Sequence, residues 1–205
     1  MPRRHASGRR RIAAAAAVLL CSVALGACAD AATESSPSGD RAAESGDLLS
    51  AYDLDGLGAR EVIARLDEMP VAERPAGLIA SVRPDALVLT DERYGETRLP
   101  MPEEEFYLSI APYHGQTHEC HFHSLTTCLG ELPDTEVRIS LTDADGDVLV
   151  DERRRTFDNG FVGVWVPRDL EGATLRITGA GRAGEVPITT TGADDPTCIT
   201  TLRLT

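Results

Sequence analysis

Between positions 114 and 123 the chain reads His-Gly-Gln-Thr-His-Glu-Cys-His-Phe-His, and Cys128 follows shortly after. His114, His118, His121 and His123 are four of the chain's five histidines, and the fifth, His5, lies near the start. Neutral imidazole and thiolate are the side-chain donors that copper and zinc prefer. A histidine-rich surface loop without function is the plain alternative, and the interleaved Cys120 argues against it. On a regular strand His121 and His123 would share one face while Cys120 and Phe122 took the other. Pro112 and Gly115-Gln-Thr117 instead predict an irregular loop able to wrap around an ion. The spacing from Cys120 to Cys128 suits neither a zinc knuckle nor a Cys-x-x-Cys redox pair. Structural zinc sites show two close ligand pairs, and the second pair is missing. A set of thiolates with imidazole fits Cu(I), because soft sulfur selects it, and the outer histidines suit Cu(II) on entry from an oxidising exterior.

The remaining cysteines sharpen this reading. Cys21 falls in an apolar leader and Cys28 follows it directly, which leaves Cys120, Cys128 and Cys198 for the folded chain. Outside the cytoplasm thiols tend to pair unless a ligand or a reductant protects them. Three is an odd number, so one disulfide strands one thiol. A Cys120–Cys128 staple with Cys198 buried as a small hydrophobe is one arrangement. Convergence of all three on a soft metal ion is the other. Without metal and under oxidising conditions two of the three are expected to bridge, with Cys128 in the bridge.

The export signal sets the compartment. Arg3, Arg4 and Arg9-Arg10-Arg11 form a basic head before the apolar run Ile12 to Leu25. Residues 1–27 therefore read as a signal peptide, too short and wrongly flanked for a spanning helix. Leu25-Gly26-Ala27-Cys28 resembles a bacterial lipobox, in which Cys28 would be lipidated and become the new N-terminus; ordinary cleavage near Ala27 is the alternative. Residues 28–47, rich in Ser, Ala, Gly and acids, cannot bury a core and read as a lipid-anchored tether. The expected location is extracytoplasmic, held at the bacterial cell membrane by lipid.

Charge excludes some partners. The precursor carries 20 basic and 33 acidic residues; with the five leader arginines removed the balance is 15 − 33 = −18. Lysine is absent throughout. Nucleic acid is excluded as a partner, because it requires a basic footprint. A homodimer and a monomer are both compatible with the sequence.

The elements that must position the donors form an α+β chain. A small N-terminal α/β region occupies 48–102, and a C-terminal antiparallel β-sandwich carrying the His/Cys segment occupies 103–205. Leu57, Val62, Ile63 and Leu66 follow helical spacing up to Met69-Pro70, with Asp53 or Asp55 as candidate caps. A short apolar run follows at Leu78-Ile79-Ala80 with Val82. Ala86–Thr90 and Glu96–Leu99 read as a hairpin, and Pro100-Met-Pro102 as a boundary. Phe106–Ile110, Val137–Leu141, Val148–Val150, Gly160–Val166, Thr174–Thr178 and Cys198–Leu204 read as strands. Asp145-Gly146 signals a hairpin turn, and the acids around it do not match a calcium loop. For Cys198 to meet the loop thiols, the first and last sandwich strands must be neighbours. Trp165 reads as structural.

Two stretches together resemble a known family. Tyr113 to Leu132, with Cys120 and Cys128, and Asp195-Pro-Thr-Cys198-Ile-Thr-Thr201 are similar to the CueP family of periplasmic copper-binding proteins. The resemblance runs from about Leu48 to Thr205. It implies an exported copper carrier with three cysteines at the site, linked to copper resistance and to supplying an exported Cu/Zn superoxide dismutase. The family cysteines carry over onto Cys120, Cys128 and Cys198, and His121 and His123 are the best-matched histidines, with His118 beside them. The lipobox and tether depart from the soluble relatives, so the recipient is open.

The chain is thus expected to bind and buffer copper, not to act as an enzyme. The partners are the copper ion, an exported cuproenzyme and a thiol reductant. The alternatives are a thiol redox protein reducing Cu(II) to Cu(I) and a zinc-stabilised extracytoplasmic module. A hydrolase is disfavoured, because Ser124 stands in no nucleophile-elbow sequence.

Overall fold

An apolar stripe at helical spacing closes the first turn of the N-terminal region. Helix α1 (Ala59–Asp67) buries Ala59, Val62, Ile63, Leu66 and, at the same stripe's end, Asp67. The computed structural model describes residues 48–205, so the expected signal peptide (1–27), lipidation at Cys28 and tether (28–47) fall outside the described residues. Gly58 occupies the N-cap in extended backbone with no side-chain cap. The aspartates expected to cap α1 do not: Asp53 sits at φ 55°, and its carbonyl accepts from the Arg65 guanidinium at 2.7 Å.

Three strands follow: β1 (Ile79–Val82), β2 (Ala86–Asp91) and β3 (Gly95–Pro100). They pair antiparallel in the order β1-β2-β3. Their apolar face meets α1 in one core of Leu54, Val62, Ile63, Leu66, Leu87 and Leu89. Tyr107 and Leu125 enter this core from beyond the Pro100-Met-Pro102 break, so it is shared with the second half of the chain.

The second half is a two-sheet sandwich. One sheet orders β6 (Val148–Arg155), β5 (Glu136–Thr142), β8 (Ala173–Gly179) and β9 (Arg182–Ile188), all antiparallel. The other orders β10 (Cys198–Ile199), β4 (Glu105–Ile110) and β7 (Val162–Pro167). Phe106, Leu108 and Ile110 face Val137, Ile139, Leu141, Leu175 and Ile177 across an aliphatic interior. Burying each such side chain contributes about 1.5–3 kcal/mol. The alternation in β5 and β8 is that of strands with one wet face. Strand β4 differs, because nearly all of it is buried. Its Phe106 side fills the sandwich while Tyr107 points into the α1 core.

Three details depart from the sequence reading. Strand β9 was not expected; it is a polar edge strand whose Pro187 is tolerated there. The last strand is only Cys198–Ile199, and Leu202 and Leu204 reach the sandwich core from irregular chain. Strand β10 runs parallel to β4, so the sandwich is not purely antiparallel. The expected adjacency of first and last sandwich strands is present, with Cys198 opposite Ser109. At Asp143 the acidic turn closes on itself: its carboxylate accepts from the Asp145 and Asp147 amides at 3.0 and 2.9 Å. Among the described residues no helix is long and apolar enough to cross a membrane.

Candidate metal centre

The His/Cys segment leaves β4 and is irregular, as its glycine and proline predict, until it meets two other parts of the fold. Val82 donates its amide to the His123 carbonyl at 2.8 Å, and Leu125 donates to Ala80 at 2.9 Å. The loop thus extends the edge of β1 for one bridge, Ser81 to Ser124. On its other side the His123 amide donates to Thr197 Oγ1 at 3.1 Å, and that hydroxyl donates to the Val82 carbonyl at 2.7 Å. The Thr197 and Cys198 amides both donate to the His121 carbonyl. His123 is therefore held by its backbone between β1 and the segment that carries Cys198. The far end of the loop is pinned where Gly130 and Gly160 lie backbone to backbone, Gly160 at φ 78°; a Cβ on either would collide with the other.

These contacts bring four soft donors together. One ligand atom from each of Cys120, His123, Cys128 and Cys198 lies within 4.8 Å of the others. The Cys120 and Cys128 sulfurs are 3.7 Å apart, and Cys198 Sγ is 3.8 Å from His123 Nδ1. A metal–sulfur bond of about 2.3 Å spaces ligands roughly 3.8 Å apart around a tetrahedron and roughly 4 Å apart around a triangle. Those two separations are of that size, whereas the Cys120 and Cys198 sulfurs lie closer, joined to each other. Once the Cys120–Cys198 bond is reduced, three thiols and one imidazole form a sulfur-rich donor set of the kind that soft and borderline metal ions take.

The cysteines are joined differently from the expectation. Cys120 is disulfide-bonded to Cys198, 78 positions away, and Cys128 is the free thiol. The bridge is not the expected one with Cys128, because the pairing of β10 with β4 and the Thr197 and Cys198 amides on the His121 carbonyl set Cys198 against Cys120. Cys120, Cys198 and Cys128 pack around Ala111 and Phe161 in a small apolar cluster of their own.

Of the histidines singled out by sequence, only His123 joins the cluster. His121 is exposed, its Nε2 hydrogen-bonded to the Asp194 carbonyl at 2.8 Å. His118 is exposed, its ring edge-on to Phe161 at 6.2 Å between centroids. His114 is tied through its backbone amide to Glu131 at 2.6 Å.

Three residues that composition did not mark stand behind His123. Its Nε2 faces Asp67 Oδ1 at 3.6 Å, both side chains fully buried. That is an ion-pair distance, longer than a hydrogen bond, and Nε2 has no other partner. Tyr107 Oη donates to Asp67 Oδ2 at 2.7 Å and Asn159 Nδ2 donates to Oδ1 at 3.1 Å. Burial alone would raise the Asp67 carboxyl, but His123, Tyr107 and Asn159 outweigh it and hold it below the ordinary value. Burial likewise opposes the His123 imidazolium, and the Asp67 and Cys128 charges overcome it and raise its pKa. At Cys128 burial pushes the thiol up, while His123, the Ser124 amide and Arg74 pull it below the ordinary value. Arg74 also donates to the Cys128 carbonyl at 2.9 Å.

A sequence signal existed for two of these features. Asp67 continues the stripe 59, 62, 63, 66 and so places an acid on the buried face of α1. Gly163 interrupts an apolar strand, and a Cβ there would fall 1.7 Å from Tyr107 Oη.

The family model described as periplasmic copper-binding protein CueP matches residues 61–203. The crystal structure of S. CueP superimposes with a TM-score of 0.72 at 34% identity, covering 78% of this chain and 96% of that chain. The comparison with curated proteins found no match.

Proposed function

Because the chain belongs to the CueP family of periplasmic copper-binding proteins, we propose that it is an exported copper carrier and buffer. In this reading it holds one Cu(I) among Cys120, Cys128, Cys198 and His123. The observation that carries it is the convergence of those four donors within 4.8 Å. Copper is cargo here: it is bound, kept from free solution and handed on, without turnover. Cys120 and Cys128 are half-buried while Cys198 and His123 are buried, so an ion enters from the Cys120–Cys128 side. His118 and His121, exposed on the same loop, are suited to a first encounter with Cu(II).

The disulfide sets a condition on loading. Cys120 and Cys198 offer two thiolates only after a dithiol partner has reduced their bridge, becoming a disulfide itself. The reverse direction supports the second reading, Cu(II) reduction. Two Cu(II) ions take one electron each from the reduced Cys120–Cys198 pair, which returns to the disulfide and releases two protons. A Cys₃His set also suits a structural zinc ion, but a disulfide between two of the ligands favours an ion that is loaded and released. The recipient in this reading is an exported cuproenzyme, a Cu/Zn superoxide dismutase being the one the resemblance implies. Copper resistance follows from buffering. Cys28 would carry the lipid anchor, and C28A is expected to leave the membrane fraction.

Competition of the reduced protein with a Cu(I) chelator tests the assignment. We expect one Cu(I) per chain, selectivity over zinc, and a large loss of affinity when Cys120, Cys128 and Cys198 are all changed to Ser. Wild-type affinity in that triple variant would overturn it. Counting free thiols and Cu(I) after adding Cu(II) to reduced protein separates carrier from reductant.

A further inference from the structure

We infer that Asp67 is the positioning residue of the copper site: it holds His123 by Nε2 so that Nδ1 is the nitrogen presented to the thiols. The inference rests on the copper-binding reading above and adds a residue that lies outside the His/Cys segment.

A buried carboxylate is costly unless every lone pair it exposes is met. Asp67 is fully buried and receives Tyr107 Oη at 2.7 Å and Asn159 Nδ2 at 3.1 Å, the latter also reaching the Asp67 carbonyl at 3.3 Å. Tyr107 can make its bond only because residue 163 is glycine. Asn159 in turn accepts from the Phe161 amide at 2.8 Å, so its orientation is fixed by backbone. Strands β4 and β7 and the turn before β7 thus aim one carboxylate.

What it is aimed at is the His123 ring. That ring is fully buried, lies 4.3 Å from Phe161 between centroids, and has two nitrogens with different neighbours. Nε2 faces only Asp67, at 3.6 Å, and Nδ1 faces Cys198 Sγ, at 3.8 Å. Turning the ring over would move both nitrogens away from both partners. With the proton on Nε2, next to the carboxylate, the Nδ1 lone pair is free for the ion. A metal-bound histidine whose other ring nitrogen donates to a carboxylate is fixed in tautomer and made more basic. An apolar pair of similar volume would fill the same space without the desolvation cost. The polar arrangement therefore points to the ion.

Two measurements test this. In the reduced, metal-free protein at alkaline pH, proton and nitrogen NMR of the His123 ring should show a slowly exchanging proton on Nε2. In Asp67→Asn, which keeps the shape but faces three donors with a neutral amide, that signal should shift and exchange faster. A proton resting on Nδ1 in the wild type would overturn the inference. This readout does not involve copper, so it stands apart from the copper assignment, which fails separately if the wild type binds no Cu(I). The second measurement is a double-mutant cycle on Cu(I) affinity. D67N should weaken binding about 10–100-fold, the range for loss of such a supporting carboxylate. In the His123→Leu background the same substitution should change affinity less than about 2-fold. Equal losses in both backgrounds would mean a merely structural role and overturn the proposal. If D67N disturbs folding, Tyr107→Phe, which frees one carboxylate oxygen, should repeat the pattern with a smaller loss, and an additive Y107F would likewise overturn it.

Discussion

The sandwich interior and the core behind His123 share strand β4, yet they are built on opposite terms. On its Phe106 side β4 meets an interior of aliphatic residues and one phenylalanine, filled by side chains that carry no polar atoms. On its Tyr107 side it meets the aliphatic N-terminal core with a buried carboxylate, and behind that carboxylate an imidazole and an asparagine. The first kind of packing yields stability in proportion to area. The second holds groups in fixed orientations at a desolvation cost. The chain keeps one face of the strand wholly apolar and sets its buried polar groups on the other, among the aliphatic side chains of the N-terminal core.

The largest expected effect breaks that separation. Reducing the Cys120–Cys198 bridge without metal removes a link closing 78 positions. In the chain-entropy account a loop of that length contributes about 4.5 kcal/mol. We expect the urea midpoint to fall on reduction and to recover when Cu(I) is added, because three thiolates on one ion close the same loop again. Recovery absent from the wild type, or present with the three cysteines changed to Ser, would show that the ion does not replace the bridge.

A smaller effect sharpens the comparison within β7. Gly163→Ala puts a methyl group where the Tyr107 hydroxyl now lies. Tyr107 must swing off Asp67, at about 1–3 kcal/mol for overpacking. Because Val162 and Val164 on either side face the sandwich core, that interior should stay intact. Thermal unfolding should show the loss, and Cu(I) affinity should fall with it. A copper-binding loss without any stability loss would place Tyr107 outside the supporting core.

How much of this could be read from the chain follows the same division. The hairpin of β2 and β3 and the strands β4, β5 and β7 were legible, because alternation and turn residues are local signals; the adjacency of β4 and β10 followed instead from requiring Cys198 to meet the loop thiols. Cys120, Cys128 and Cys198 were legible because residue type alone restricts their chemistry. The pairing partner of Cys120 was not, since it depends on β10 lying beneath the loop. Nor was the choice among histidines: His121 and His123 are two apart in sequence, and only the backbone hydrogen bonds to Val82 and Thr197 turn His123 inward. Asp67 and Gly163 were written into the chain as local inconsistencies, an acid on an apolar stripe and a glycine in a strand. Such conflicts mark functional positions.

The smallest effect concerns a second polar contact of the N-terminal core, between residues that belong to none of the ion's donors. Tyr52 Oη donates to Asp91 Oδ2 at 2.6 Å, tying the chain before α1 to the end of β2. The bond pushes the Tyr52 hydroxyl up to about 12, and burial and the nearby carboxylate act in the same direction. The same bond, with the Arg93 and Tyr94 amides, holds the Asp91 carboxyl below its ordinary value. The two shifts have opposite consequences at the two ends of the pH scale. A depressed carboxyl contributes stability that is present above its unfolded value of 3.8 and is lost as pH falls through the lower folded value. A raised hydroxyl contributes stability that is present below its unfolded value of 10.0 and is lost as pH rises through about 12. Tyr52→Phe removes the donor and leaves the ring. The difference in urea midpoint between wild type and Y52F should be constant from about pH 5 to 9, shrink below pH 4 and shrink again above pH 10. Cu(I) affinity should be unchanged, because the contact belongs to the fold and not to the site. A difference that stays flat to pH 12 would mean that the hydroxyl is not held by Asp91, and a loss of copper affinity would join this contact to the donor cluster after all.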